Sequence, residues 1–537
     1  FPAKARMVCR SWALQGYGAP VLIYVAYLLK VGLYVGGWVL ACAQSPQLGG
    51  PTDIASWWLE PVAFQKAIAW SLMFEVLGLG CGSGPLTGRY LPPLGGPLYF
   101  LRPGTTRAPV CTTLPGLRGH TRTWLDAALY LGLLLALARA LLTATPGLEH
   151  WLPIAVVLPL LGLRDRTVFL AARAEHYWVT VMCFVLAADG IAGAKAVQAA
   201  LWLWAGISKL NHHFPYVVCV MTSNSPILRG EGLRRRMYRA YPDDLRPSRL
   251  AERMAHMGTA LELLVPIVLL VGDGGPITVV GMVLMLALHG FITGNVPMGV
   301  PIEWNVMVVY GALFLFGTHA EVSLLEVGSV PLALLLLLTL VAVPLLGNLA
   351  PRYVSFLPSM RYYAGNWACS VWLFRGDSYR KLDTGLTKST PWVYDQLDRF
   401  YDRRTSVGMV GKVIAFRLMH LHGRALPQLL PLAVDQPQDY EWVDGEIIAG
   451  AALGWNFGDG HLHDERLLAA IQAQCGFEPG QLRCIFVESQ PLLGRSLRYR
   501  IHDASTGCLA QGQVDVSELR ARPPWPEPEP DAATLVP

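Results

Sequence analysis

Apolar residues dominate the first 350 positions, in stretches of about 20 that polar loops interrupt, the length a helix needs to cross a bilayer. There are ten candidate spans, near 20–43, 61–82, 124–143, 151–163, 175–190, 193–209, 257–272, 276–296, 301–318 and 330–348. The 151–163 run is short, and predicts either a re-entrant segment or a helix that continues through RDRT into the next segment. After Asn348 the pattern changes to charged sequence rich in Trp and Tyr. Residues 391–422 keep helical spacing, and GMVGKVIAFRLMHLH is apolar enough to lie against the membrane or the bundle. Beyond 440 the segments EIIAGAAL, RCIFVES, SLRYRIHD and CLAQGQVDVS predict strands, with DERLLAAIQAQC a helix between the first two. The expected fold is mostly α: a polytopic helical membrane bundle of about 8–10 spans with a small C-terminal α+β cytoplasmic domain. Its expected divisions are the bundle over 1–348, a linker with amphipathic helices over 349–435, the α+β domain over 436–522 and a disordered Pro- and acid-rich tail over 523–537.

Charge placement adds an orientation. The segments between alternate spans carry Lys4, Arg6 and Arg10, then Arg89, Arg102, Arg107, Arg118 and Arg122, then Arg164 and Arg166, then a run of arginines from Arg229 to Arg253. The opposite loops, QSPQLGGPTDIASWWLE, TPGLEH, GDGG and THAEVSLLEVGS, have no Lys or Arg. The positive-inside rule then places both termini in the cytoplasm, with an even number of spans and Lys209 on the cytoplasmic side. Composition agrees with a membrane class: 53% of residues are hydrophobic, 15% are charged and the mean hydropathy is +0.38. The ten cysteines form no CxxC pair and no zinc-ribbon spacing, which predicts free thiols and a reducing environment for the soluble part. The opening FPAKARM shows no cleavable signal peptide. No phosphate-binding loop, dinucleotide fingerprint, nucleophile elbow or HExxH is present, and nothing points to nucleic acid.

Ionisable groups inside these runs are the candidate chemistry. They are His176 in AARAEHYWVTVMCFVL, Lys209 in LWLWAGISKLNHHFP, Glu262 in MGTALELLVPIVLL and His289 in LMLALHGFITGN. Groups of this kind at membrane depth usually face the bundle interior, pair with one another and mark a functional site. Each also has a structural explanation: the lysine can snorkel to headgroups, the histidines can bond between helices, and the glutamate can pair with an arginine. The adjacent His212 and His213 point about 100° apart in a helix and could share a metal only through a turn, which Pro215 permits. In the C-terminal part, GWNFGDGHLHDE offers His461 and His463, which would share a face if extended. The expected alternative there is a surface turn with Asp464 as helix N-cap and no bound metal.

The stretch AGISKLN resembles the Gly-x-x-Lys-Leu segment of vitamin K-dependent gamma-carboxylases and their bacterial relatives, the horizontally transferred transmembrane domain proteins. EHYW with His176 lies one helix upstream, ELLVP with Glu262 and Pro266 one helix downstream, and His289 leads into GNVPMGVPIEWN, as in that family's order of helices. The resemblance covers about 150–320. It implies Lys209 as a base, with His176 and His289 orienting groups or transferring protons. Ser208 and Asn211 replace a lysine and an aspartate of the carboxylases, and His212, His213, Phe214 and Pro215 replace their Asp-x-Asp-Trp element. What carries over is therefore a helical pocket for a quinone, a quinol or another lipophilic molecule rather than glutamate carboxylation. Glu262, Asn211, His212, His213 and Trp204 are the expected substrate contacts, and membrane lipids and a lipophilic small molecule the expected partners. The whole chain, including GWNFGDGHLHDERLL, also resembles an uncharacterised bacterial transmembrane family. The alternative reading is a non-catalytic membrane protein that binds or moves a lipid or quinone. On the catalytic reading Lys209, His176 and His289 point into one pocket between the spans at 175–190, 193–209 and 276–296.

Overall fold

The computed structural model describes residues 2–19, 21–80, 95–296, 301–362 and 364–525. All ten apolar runs are helical. They form α1 (Val21–Cys42), α2 (Pro61–Val76), α3 (Trp124–Leu142), α4 (Leu148–Arg164), α5 (Tyr177–Leu186), α6 (Ile191–Ser208), α7 (Arg249–Val271), α8 (Pro276–Thr293), α9 (Ile302–Ala312) and α10 (Val330–Leu349). Among the described residues five of these, α1, α3, α7, α8 and α10, are long and apolar enough to cross a membrane. Their outer faces carry exposed aliphatic residues such as Leu28, Leu135, Val279 and Leu334, which suits a hydrocarbon solvent. A π-helical turn, Leu313–Thr318, continues α9.

The most buried of the ten is α6, which carries Lys195 and Gln198 and is rich in Ala and Gly. Small residues let neighbours approach. A Cβ on Gly206 would lie 2.9 Å from the Leu263 side chain and 3.3 Å from the backbone of Glu262, so the end of α6 and the middle of α7 pack backbone to backbone. The 151–163 run is not continuous with the RDRT segment. It is the helix α4, which stops at Arg164, and the Asp165 carboxylate then caps a separate short helix, Arg166–Ala171.

The N-terminal helix Pro2–Gln15 packs against α11 (Arg403–Met419), with Trp12 and Phe416 ring centroids 5.5 Å apart. The helical pattern read at 391–422 thus lies against protein. Next comes α12 (Ala425–Ala433), and then a five-stranded antiparallel sheet of β1 (Cys369–Arg375), β2 (Tyr440–Asp444), β3 (Leu482–Val487), β4 (Ser496–Asp503) and β5 (Gly507–Asp515) in the order β2-β1-β3-β4-β5. Val371 stands opposite Asp444 on one side and Ile485 on the other. Cys369, Val371 and Leu373 share a core with α12, while Trp372 and Phe374 point the other way into the core continuous with the bundle. A strand buried on both faces reads as an unbroken apolar run. Its position lies inside the stretch assigned from sequence to a linker.

One strand expectation is corrected. EIIAGAAL is the helix α13 (Gly445–Leu453): the Asp444 carboxylate accepts from the Glu446 amide at 2.9 Å, and Gly454 closes the helix in the left-handed conformation at φ 84°. The other three strands and the helix α14 (Glu465–Cys475) stand where expected. Trp525 is buried beneath Arg6 and Arg10, with centroid distances of 5.5 and 5.9 Å. Residues 526–537 of the expected disordered tail, 297–300 of GNVPMGVP, and Arg89 and Cys81 lie outside the described residues. The nine described cysteines are all free.

Candidate functional site

Lys209 is the first residue past α6, and its side chain is only 2% exposed. The ammonium is ion-paired with the carboxylate of Glu262 on α7 and sits 4.8 Å from the centroid of the Phe214 ring. The explanation by snorkelling to headgroups is therefore set aside. Gly206 is what lets α7 come close enough for the pair to form.

His176 and His289 are organised by one turn of α9. The indole N–H of Trp304 donates to Nδ1 of His176 at 3.1 Å, and Asn305 Oδ1 lies 2.7 Å from Nδ1 of His289. Trp202 on α6 donates to Nε2 of His289 at 2.9 Å. An indole nitrogen can only donate, so Nδ1 of His289 carries the proton and gives it to Asn305. The residue before, Glu303, is ion-paired with Lys30 of α1 at 2.9 Å. Consecutive helical residues point about 100° apart. The triplet Glu303-Trp304-Asn305 thus addresses three different neighbours, which only a helix surrounded by protein can do.

More charge surrounds this turn. Arg173 donates to Glu75 of α2 at 2.9 Å and lies over the rings of Trp304, 5.5 Å away, and Phe457, 4.9 Å away. Tyr362 donates to Glu175 at 2.5 Å, and the hydroxyls of Tyr34 and Ser71 are in hydrogen-bond contact. Sequence reasoning missed Lys30, Glu75, Arg173, Glu175 and the Glu303 triplet. The criterion that found Glu262, a lone ionisable residue inside an apolar run, also fits Lys30 in YLLKVG and Glu75 in SLMFEVLG.

The remaining sequence candidates go elsewhere. Trp204 donates to the Leu340 carbonyl at 2.7 Å and ties α6 to α10. Asn211 donates to the Pro491 carbonyl at 3.1 Å and accepts from the Leu493 amide at 2.7 Å. His212 is exposed, and His213 is buried with its ring 5.4 Å from that of His422. Asn211 and His213 therefore belong to the junction with the C-terminal domain. Lys209 and Glu262 meet, and His176 reaches the same turn of α9 as His289.

The GHLHDE segment is not a surface turn: His461, His463 and Asp464 are all buried. Asp464 is the N-cap of α14, as expected, accepting from the Arg466 amide at 2.9 Å. The two imidazoles face different partners. Nε2 of His461 lies 3.0 Å from both oxygens of Glu488, and Nδ1 of His463 lies 2.7 Å from Oγ of Ser370. Among the described residues, no group of three or more His, Cys, Asp or Glu side chains is placed to hold a metal ion. Burial works against the charge on His461, but Glu488 outweighs it and holds the imidazole above its usual range; His461 in turn holds Glu488 below its own despite burial. Burial, with Arg417 and His461 nearby, pushes His463 down to about 4.

These features define a multi-pass membrane protein with a charged, hydrogen-bonded interior and a small α+β domain docked on it. The chain belongs to a family of transmembrane proteins of unknown function (DUF3556), whose model matches residues 1–535. No curated protein and no solved structure matches it.

Proposed function

We propose that the chain is a membrane enzyme that moves a proton on a lipophilic substrate, with Lys209 as the base. The observation that carries this reading is the buried Lys209–Glu262 pair between α6 and α7, with α6 also holding His289 through Trp202. An acid and a base in direct contact, shielded from water, stand one proton transfer from a neutral pair, and the neutral amine is the species able to accept a substrate proton. His289, fixed as the Nδ1–H tautomer by Trp202 and Asn305, is a positioning group rather than a second base. The resemblance of AGISKLN to the carboxylase segment supports the same lysine, and with it a quinone- or quinol-type cofactor or another lipophilic substrate. The arginine-bearing loops support a bacterial inner membrane with the termini and the C-terminal domain in the cytoplasm.

The second reading is a non-catalytic protein that holds or moves a lipid or quinone. It is favoured by the fact that both ring nitrogens of His289 and the ammonium of Lys209 already have protein partners. One comparison separates the two. Lipid extracts of cells expressing wild type, Lys209→Arg or the double variant Lys209→Met with Glu262→Met are compared by mass spectrometry. Arginine keeps the ion pair but cannot give up its proton near neutral pH. The enzyme reading expects a lipophilic product with wild type alone. The same product with Lys209→Arg, from protein that elutes like wild type, would overturn it.

A further inference from the structure

Between α1, α2 and α9 lies a cavity of about 220 Å³, lined by Tyr34 and Trp38 of α1, Trp70 of α2, Met307 and Tyr310 of α9, and Trp58. Its wall is carbon. The polar atoms of four of its five aromatic residues are turned into the protein: Trp38 donates to the Ala63 carbonyl at 2.9 Å, Trp70 to the Tyr34 carbonyl at 2.7 Å, Tyr310 to the Trp58 carbonyl at 2.7 Å, and the Tyr34 hydroxyl meets Ser71. A site with no free donor or acceptor along its length selects hydrocarbon, because a polar group entering it loses water and gains nothing. An apolar cavity of about 150 Å³ already accepts benzene, so this one has room for a larger hydrocarbon segment. Val35, on the outward face of α1, also lines the cavity and is 38% exposed, so entry is sideways from the surrounding lipid.

An ion pair lies one helical turn beyond this lining. Tyr34 and Met307 lie one turn beyond Lys30 and Glu303 on their own helices, and residues four apart share a helix face. The Lys30–Glu303 pair therefore lies one turn from Tyr34 and Met307, on the side of α1 and α9 that faces the cleft. Glu303 is almost wholly buried, and its Oε1 accepts no hydrogen bond among the described residues. A buried carboxylate oxygen in that position calls for an O–H or N–H donor. The cation at hand, Lys30, is engaged with Glu303, so an anionic headgroup has no free charge there to meet.

We infer that the cleft is the binding site for a lipid alcohol drawn from the membrane, its hydrocarbon part between Trp38, Trp70 and Tyr310 and its hydroxyl donating to Glu303. This rests on the reading that the bundle acts on a lipophilic molecule, and names the class of that molecule.

The test uses the purified full chain in phospholipid nanodiscs with a long-chain alcohol bearing a diazirine in its chain. Cross-links are mapped by mass spectrometry. The expected result is labelling concentrated at 34–38, 67–70 and 306–310. Unlabelled alcohol should displace the probe, its methyl ether should compete at least tenfold more weakly, and the fatty acid of equal length should not compete. Ala67→Phe, which fills the cleft, should cut labelling at least tenfold, and because the competition series needs no variant, misfolding of that one cannot mask the answer. Labelling spread evenly over the outer faces of α3, α8 and α10 overturns the site, and equal competition by the ether overturns the assignment of Glu303. Lys209→Arg should label like wild type. The cleft therefore stands or falls separately from the catalytic role of Lys209.

Discussion

The indole N–H of Trp202 points at Nε2 of His289 from 2.9 Å, and that contact decides which imidazole nitrogen bears the proton. With Nε2 occupied as an acceptor, the ring can only donate through Nδ1 to Asn305. Nitrogen-15 spectra of labelled protein should show His289 as the Nδ1–H tautomer, and Trp202→Phe should give a mixture of the two. The lost bond should cost about 0.6 kcal/mol and at most about 1.7, as hydrogen bonds between membrane helices do. A wild-type ring protonated on Nε2 would contradict the arrangement.

Lys209 and Glu262 are buried together, so removing one leaves the other charge without compensation. Lys209→Ala or Glu262→Ala alone should lower stability by about 3–5 kcal/mol, whereas Lys209→Met combined with Glu262→Met should be close to wild type. Unfolding titrations in detergent measure this. Additive effects of the single changes would mean that the ion pair is not what holds α6 to α7.

Three buried histidines of the C-terminal part set its response to acid. Burial pushes His420 down to about 3, and His422 and His463 down to about 4. Each folded value is below the unfolded value of about 6.5, so as pH falls below about 6.5 the unfolded chain takes up protons that the native one refuses. Stability should decline from there toward pH 4, by up to about 1.4 kcal/mol per pH unit for each histidine. His461 shifts the opposite way, so its contribution is complete below about 6.5 and fades as pH rises through its raised value. Proteolysis of the C-terminal domain across this range reads the slope, and His463→Gln should flatten it by one proton. An unchanged slope in that variant would reject the assignment.

Asn211 closes the junction from the bundle side, donating to Pro491 and accepting from Leu493. Asn211→Ala removes both bonds at about 0.5–1.5 kcal/mol each. The expected result is faster hydrogen exchange at the Leu493 amide with no change in the spans. Exchange that stays slow would show that other contacts hold the 491–493 turn.

The helices of the bundle were legible in the sequence because each is a long apolar run, and the strand β4 was legible because its buried residues Leu497, Ile501 and Asp503 alternate with less buried ones. The strand β1 was not, since both its faces are covered and alternation vanishes. EIIAGAAL was misread because its small apolar residues suit either state, and the deciding signals were the Asp444 cap and the Gly454 stop at its ends. Of the site, the ionisable positions themselves could be read from sequence, including Glu262, but pairing could not. Which histidine Trp304 serves, and which Asn305, depends on three helices meeting around one turn of α9, and no local pattern in PIEWN encodes that. His461 and His463 showed the limit of spacing: two residues apart on the chain, they face Glu488 and Ser370.

The burial of α6 has a consequence for biogenesis. The ammonium of Lys195 is held by the carbonyls of Ala320 at 3.0 Å and Val322 at 2.6 Å, which are synthesised 125 and 127 residues after it. Lys66 is likewise held by the carbonyls of Ala41 at 2.6 Å and Leu141 at 3.0 Å, the second made 75 residues later. Each lysine is therefore made before its set of carbonyl partners is complete, and an unpaired cation resists an apolar surrounding. Until the turn ending at Val322 has been synthesised, the Lys195 ammonium lacks both carbonyls that hold it in the folded chain, so α6 reaches its final packing late.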